Sequence, residues 1–185
     1  RVPAGTVTAV LLAGLAVIVG LAAGLLLGRR PPAGPGLALG PDTALLAGGL
    51  VAAGVSRATS GGWAVIMAIA SYLALGAFAA HHRAHPGMAL VAVGLGSNLV
   101  VVAVDDGMPV RNLAAGTVDG LHHGLSTSDH LRGLADIVSV PVLHTMASAG
   151  DLVIAAGAAV AAFAWLAVPA HGPAHAGPPA HAGPP

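Results

Sequence analysis

TVTAVLLAGLAVIVGLAAGLLLG, residues 6–28, runs without a single charge and closes on Arg29-Arg30 and Pro31-Pro32. A helix crosses the roughly 30 Å hydrocarbon core of a bilayer with about 20 mostly apolar residues, and this stretch is long enough to do so. It exceeds the apolar core of a typical secretory leader, and no small-residue cleavage site separates it from the rest of the chain. We therefore read it as a retained span. Gly20, Gly24 and Gly28 recur every fourth residue along one stripe. Such a small-residue face lets two helix backbones approach closely.

The remaining sequence has the same character. Of the 185 residues 56% are hydrophobic, 8% charged and 3% aromatic, and the mean hydropathy is +0.84. A soluble domain carries roughly 25% charged residues, because its surface must be wetted. Seven Arg and seven Asp, with no Lys and no Glu, are too few for that. The formal net charge is zero, and no basic patch with interleaved aromatics is present, so no nucleic-acid partner is expected. The absence of cysteine excludes disulfides, thiolate metal sites and a cysteine nucleophile.

Four further apolar runs lie beyond residue 36. Residues 37–57 recruit Leu37 and Leu39 ahead of Asp42 and end on Ser56-Arg57. Residues 63–80 begin on Trp63, an interfacial type of residue, and end in His81-His82-Arg83. Residues 87–104 carry Asn98 near their middle, and residues 151–168 carry Trp165 near their far end. The expected fold is all-α: a polytopic transmembrane helix bundle of about five spans, one membrane domain over 1–168, in a multi-pass protein of the cell membrane whose partner is the lipid bilayer. The Pro/Ala/His/Gly repeat at 169–185 is expected to be disordered. Arg29, Arg30 and Arg83 then share one side, and Arg57, Arg111 and Arg132 the other. By the positive-inside rule the Arg29-Arg30 pair puts the C-terminus inside and the segment 105–150 outside.

That segment differs in composition. With Asp151 at its boundary it holds six of the seven Asp, together with His122, His123, His130 and His144. Ser126 and Asp129 have the spacing of a capping box. Leu131, Leu134, Ile137 and Val138 then share one face, which predicts an amphipathic helix before the last span. Ser148 is placed to cap the last span, and Asp151 favours the positive end of its dipole.

Three stretches carry a resemblance: Asp105-Asp106-Gly107-Met108-Pro109-Val110, Leu134-Ala135-Asp136-Ile137 and Ser148-Ala149-Gly150-Asp151. Together they resemble a family of small bacterial membrane proteins known only as a domain of unknown function. Its members share an Asn-Gly-rich turn followed by Met-Pro-Val, then Leu-Gly-Asp, then Ser-x-Gly-Asp. The resemblance covers roughly residues 87–165, the first half sharing only the hydrophobic pattern. The chain departs from it at Asp105 and Asp106, where Asn and Gly are expected, and at Ala135, where Gly is expected. What it implies is architecture and no activity.

Polar groups within apolar spans are costly unless paired and mark functional positions. Asn98, Asp105, Asp106, Asp136 and Asp151 are therefore the structural or functional candidates, with Asp136 and Asp151 as anchors and Asn98 beneath them. Asp136 is expected to pair with Arg132 or Arg111, or to bind a metal with His130 or His144. That ligand set is weak, because no helical His-x-x-x-His pair or His-Glu-x-x-His signature is present. His81 and His82 lie at a span end with no facing histidine for a haem, and no serine has a nucleophile-elbow context. No cofactor is expected. The expected function is a non-enzymatic membrane subunit or scaffold that packs against partner helices or its own copies. A small oligomeric transporter or channel component is the alternative, and a metal-dependent membrane enzyme using residues 105–151 the second.

Overall fold

The computed structural model describes residues 4–29, 40, 42–111, 120–141 and 145–166. Most of the expected loop at 31–41, Arg30, His144 and the tail from Pro169 lie outside the described residues.

Uncharged runs rich in Ala, Leu and Val have no competing local structure, and each becomes a helix: α1 (Ala4–Leu26), α2 (Thr43–Ala58), α3 (Gly62–His81), α4 (Met88–Val104) and α5 (Ala149–Trp165). The helices fall where five spans are expected. Among the described residues α3 is long and apolar enough on its own to cross a membrane, by length and composition; Leu12–Leu26, α2, α4 and α5 are shorter apolar helices. Backbone that only glycine adopts cheaply sets the boundaries. Gly61 (φ 63°) turns the chain between α2 and α3, and Gly87 (φ 85°) starts α4 directly after Pro86.

The helices pack as an arc: α2 on α3, α3 on α4, α4 on α5, and α5 on α1. Glycine makes the closest of these contacts. A Cβ at Gly20 would run into the Ala159 carbonyl, and one at Gly24 would lie 2.5 Å from Leu166 Cδ1. The first two glycines of the α1 stripe thus face α5. Gly28 has open space around it and instead takes φ 75°, ending the helix. Between α4 and α5, Gly94 lies against the Gly150 carbonyl and Gly157 against the Gly87 carbonyl. At the end of the bundle where α1 and α5 finish, the Arg29 guanidinium donates to the carbonyls of Phe163 (3.3 Å) and Leu166 (3.2 Å) and stacks 4.1 Å over the Phe163 ring. A cation there satisfies the open carbonyls and negative dipole end of α5. His82 and Asp42 pair at the same end.

The other end is closed by the segment between α4 and α5, and here the all-α expectation needs correction. Four short strands form: β1 (Met108–Val110), β2 (His122–Gly124), β3 (Val138–Val140) and β4 (Thr145–Ala147). β1 pairs in parallel with β2, β3 antiparallel with β4, and Asp136 bridges to Val110. Nor does the amphipathic helix form. Asp129 accepts the Ser126 N–H at 2.6 Å, which is one half of the expected capping box. No helix grows from it, because the next amides are already engaged: Asp105 takes the N–H groups of His130 (2.7 Å) and Leu131 (3.1 Å). Beyond them the Asp136 N–H donates to the Pro109 carbonyl. Long-range partners have overridden a local helix signal. Leu131 and Leu134 still bury their apolar sides, packing with Leu121 against Met108, Val101, Val102 and Ala68.

Asp106, where the resemblance leads one to expect Gly, has φ 53°, the one positive φ at a non-glycine among the described residues. A side chain there costs energy that glycine avoids. Asp106→Gly is expected to stabilise the protein by up to about 1 kcal/mol, read as a higher thermal midpoint in detergent.

Candidate functional site

On the inner side of this plug, within the arc of helices, lies a cavity of about 310 Å³ whose floor the plug itself helps to form. Its wall away from the plug is apolar, from Leu50, Ala53, Leu75, Leu95 and Ile154. Its floor is polar, from Tyr72, Asn98, His122, Asp136 and Asp151, and Arg57 stands at its rim. The floor residues come from α3, α4, β2, the β1 bridge and the first turn of α5. The chain brings them together only because the 105–148 segment folds back over the helix ends.

The α5 N-terminus holds the floor in place. Ser148 and Asp151 form a full capping box: the Ser148 Oγ accepts the Asp151 N–H at 2.9 Å, and Asp151 Oδ2 accepts the Ser148 N–H at 3.2 Å. Asn98 completes it from α4. Its Nδ2 donates to Asp151 Oδ1 at 2.8 Å, and its Oδ1 accepts from the Ser148 hydroxyl at 2.9 Å. A carboxylate only accepts, so the amide must present its nitrogen to Asp151. The Tyr72 hydroxyl also hydrogen-bonds with Asn98 and lies in the fields of Asp151, Asp136 and Arg57. Exposure is 1% at Asn98, 0% at Ser148, 2% at Asp136 and 8% at Asp151, so these polar groups are held away from bulk water.

Asp136 sits across the floor. Its backbone is fixed by the Pro109 carbonyl on one side and the Arg111 N–H on the other. Its side chain faces His122, with Nε2 3.7 Å from Oδ2. Arg132 binds the Ser126 carbonyl through its side chain, and Arg111 meets Asp136 through its backbone.

The expected metal set falls partly outside the described residues, because His144 is not among them. His130 is 74% exposed and engages Asp105, whereas Asp136 engages His122. Among the described residues no group of three or more His, Cys, Asp or Glu could hold a metal ion. Asp106 is exposed and outside the cavity lining.

Asp105 has a structural task. Burial pushes its carboxyl up, but the N–H groups of His130 and Leu131 and the His130 imidazole together outweigh this and hold it below the ordinary value. A carboxyl depressed in the folded state stabilises it above the unfolded-state pKa, and that contribution is lost as pH falls through the folded value. Acidification through and below the ordinary carboxylate range is therefore expected to free residues 126–134 first, seen as faster amide hydrogen exchange there. Asp105→Asn should show that faster exchange already at neutral pH and a flatter response to acid.

Sequence reading alone missed Tyr72, Arg57 and the role of His122. Tyr72 carried a usable signal: it is the chain's one tyrosine, set in an apolar run. Arg57 reads from sequence as an ordinary helix-end cation.

The arrangement defines a class: a bundle of apolar helices with a polar-floored cavity sealed at one end by a short-stranded plug. The chain belongs to a family of unknown function (DUF5317), whose model matches residues 44–163. The match begins well before residue 87, so it takes in α2 and α3, which the resemblance leaves out. No curated protein and no solved structure matches the chain. The three stretches that carry the resemblance supply Met108, Asp136 and Asp151, and all three line this cavity.

Proposed function

We propose that this chain is a multi-pass integral membrane protein that holds a small amphipathic ligand in the cavity without transforming it. The observation that carries the reading is an inverted distribution of polarity. Large apolar side chains point outward on every helix, among them Ile18, Val51, Ile66, Val93 and Val160. The buried interior holds Ser56, Ser71, Asn98, Asp136 and Asp151. In water such a surface drives aggregation; in lipid it is the solvated face, and the polar interior marks function. At 1.5 Å per residue, helices of 16–20 residues reach about 24–30 Å, enough for a bilayer with modest thinning.

A scaffold that serves only to bind partner helices has less support. The glycines that argue for it, Gly20 and Gly24, are spent on contacts within the chain. Cavities that bind small molecules are mostly apolar with a few convergent polar groups, from about 300 Å³ upward, and this cavity has that composition.

Two measurements test the reading. Carbonate extraction should leave the chain in the membrane pellet; recovery in the supernatant would remove the spans. Native mass spectrometry of detergent-purified protein should show one retained small molecule, absent from Ala53→Trp, where the indole fills the cavity. An unliganded parent, or an adduct unchanged in the variant, would remove the ligand.

A further inference from the structure

The cavity's charges differ in exposure rather than in height along the helices. Two carboxylates and one imidazole lie on the floor, Asp136 and Asp151 being only 2% and 8% exposed. Among the described lining residues the one Arg, Arg57, stands exposed at the rim. Its guanidinium is the positive group at the cavity's exposed edge. The floor thus carries two carboxyl groups beside one imidazole, and the rim a guanidinium. In a medium of low dielectric, where each charge is felt strongly, the complement is a neutral ligand with a cation at its buried end and an anion at its exposed end.

The route in points to a lipid. α1 and α2 are the two ends of the helix arc, and among the described side chains α1 contributes only Ala13 to the cavity wall. Leu50, on α2, lines the cavity and is itself exposed, so the cavity wall reaches the surface there. Arg57 lies in the last turn of α2, at the height where an arginine meets phosphate at a membrane interface. We infer that the cavity takes the head of a zwitterionic aminophospholipid, entering between α1 and α2, with its phosphate on Arg57 and its ammonium toward Asp136. A primary ammonium suits the floor better than a quaternary one, because it donates hydrogen bonds to carboxylate and carbonyl oxygens. The fatty chains stay along the apolar wall and in the bilayer.

This inference rests on the ligand-holding reading above. Its test is competition in native mass spectrometry, with dimyristoyl phosphatidylethanolamine, phosphatidylcholine and phosphatidylglycerol added to delipidated protein in detergent. One phosphatidylethanolamine per chain should survive activation that strips the other two. A charge-assisted contact contributes roughly 1.5–3 kcal/mol, so Arg57→Gln should weaken retention about tenfold or more. Asp136→Asn should do the same. Arg83→Gln, the same charge change at the opposite end of the bundle, should not. Arg57 is exposed, so its variant tests the idea even if Asp136→Asn fails to fold. Equal retention of all three lipids, or equal effects of the two arginine variants, overturns the inference. Displacement by glycerophosphoethanolamine at concentrations matching the lipid would assign the site to a soluble zwitterion and also overturn it. If the lipids are not distinguished yet another adduct is still lost in Ala53→Trp, the chemistry fails and the cavity reading stands. If Ala53→Trp changes nothing, both fail.

Discussion

An Asn98→Leu chain is expected to lose about 3–5 kcal/mol of stability, the range seen when one partner of a buried charged network is removed. Leucine has the same number and branching of heavy atoms as asparagine and is bulkier, so no hole is left and the loss would come from the missing hydrogen bonds. Three groups lose a partner at once: Asp151 Oδ1, the Ser148 hydroxyl and the Tyr72 hydroxyl. Leaving a buried polar group unsatisfied costs about 1–3 kcal/mol, more when it is charged. No rotation can rescue them, because Gly150 packs directly on the Asn98 amide. Thermal unfolding in detergent measures the loss. Asn98→Asp separates hydrogen bonding from shape: it places a second carboxylate beside Asp151, so its deficit should shrink on acidification, whereas that of Asn98→Leu should not. A midpoint for Asn98→Leu within a degree or two of the parent would mean that water replaces the amide, and that the floor is wet and loosely held.

The helices and the plug were legible in the sequence to different degrees, for physical reasons. An uncharged run such as 88–104 has one way to satisfy its backbone away from water, a helix, and the reading needs only local information. Asp105 is different. It lies just beyond α4, but its hydrogen bonds go to amides 25 and 26 residues away, and those bonds decide that 126–138 does not become a helix. Strands of three residues add no periodicity to read. The Ser148–Asp151 capping box was readable because both partners lie within one turn. Asn98, Asp136 and Asp151 stood out as polar groups within or beside apolar runs. Their convergence with Tyr72 and His122 could not be read, because it depends on how α3, α4 and β2 meet the α5 N-terminus.

Gly157→Val should be strongly damaging, because α5 is the helix that joins α4 to α1. A Cβ at 157 would stand 2.7 Å from the Gly87 carbonyl oxygen, 2.8 Å from the Val91 nitrogen and 2.9 Å from Val91 Cγ2. Two of those three atoms are backbone, so no side chain can swing away, and α4 and α5 must separate. Overpacking of this kind costs typically about 1–3 kcal/mol and sometimes more. Here the separation also pulls Asn98 on α4 away from Asp151 on α5, which adds part of the cost expected for Asn98→Leu. The two substitutions should therefore be less than additive, since sites that share a network couple. Gly96→Val on α4 is the control: nothing lies within 4 Å of its Cβ position, and its stability should stay near that of the parent. Thermal midpoints for Gly157→Val, Asn98→Leu and the double variant give the coupling directly. Full additivity would show that helix spacing and the polar floor are independent, and that the glycines set the approach of α4 and α5 without positioning the site.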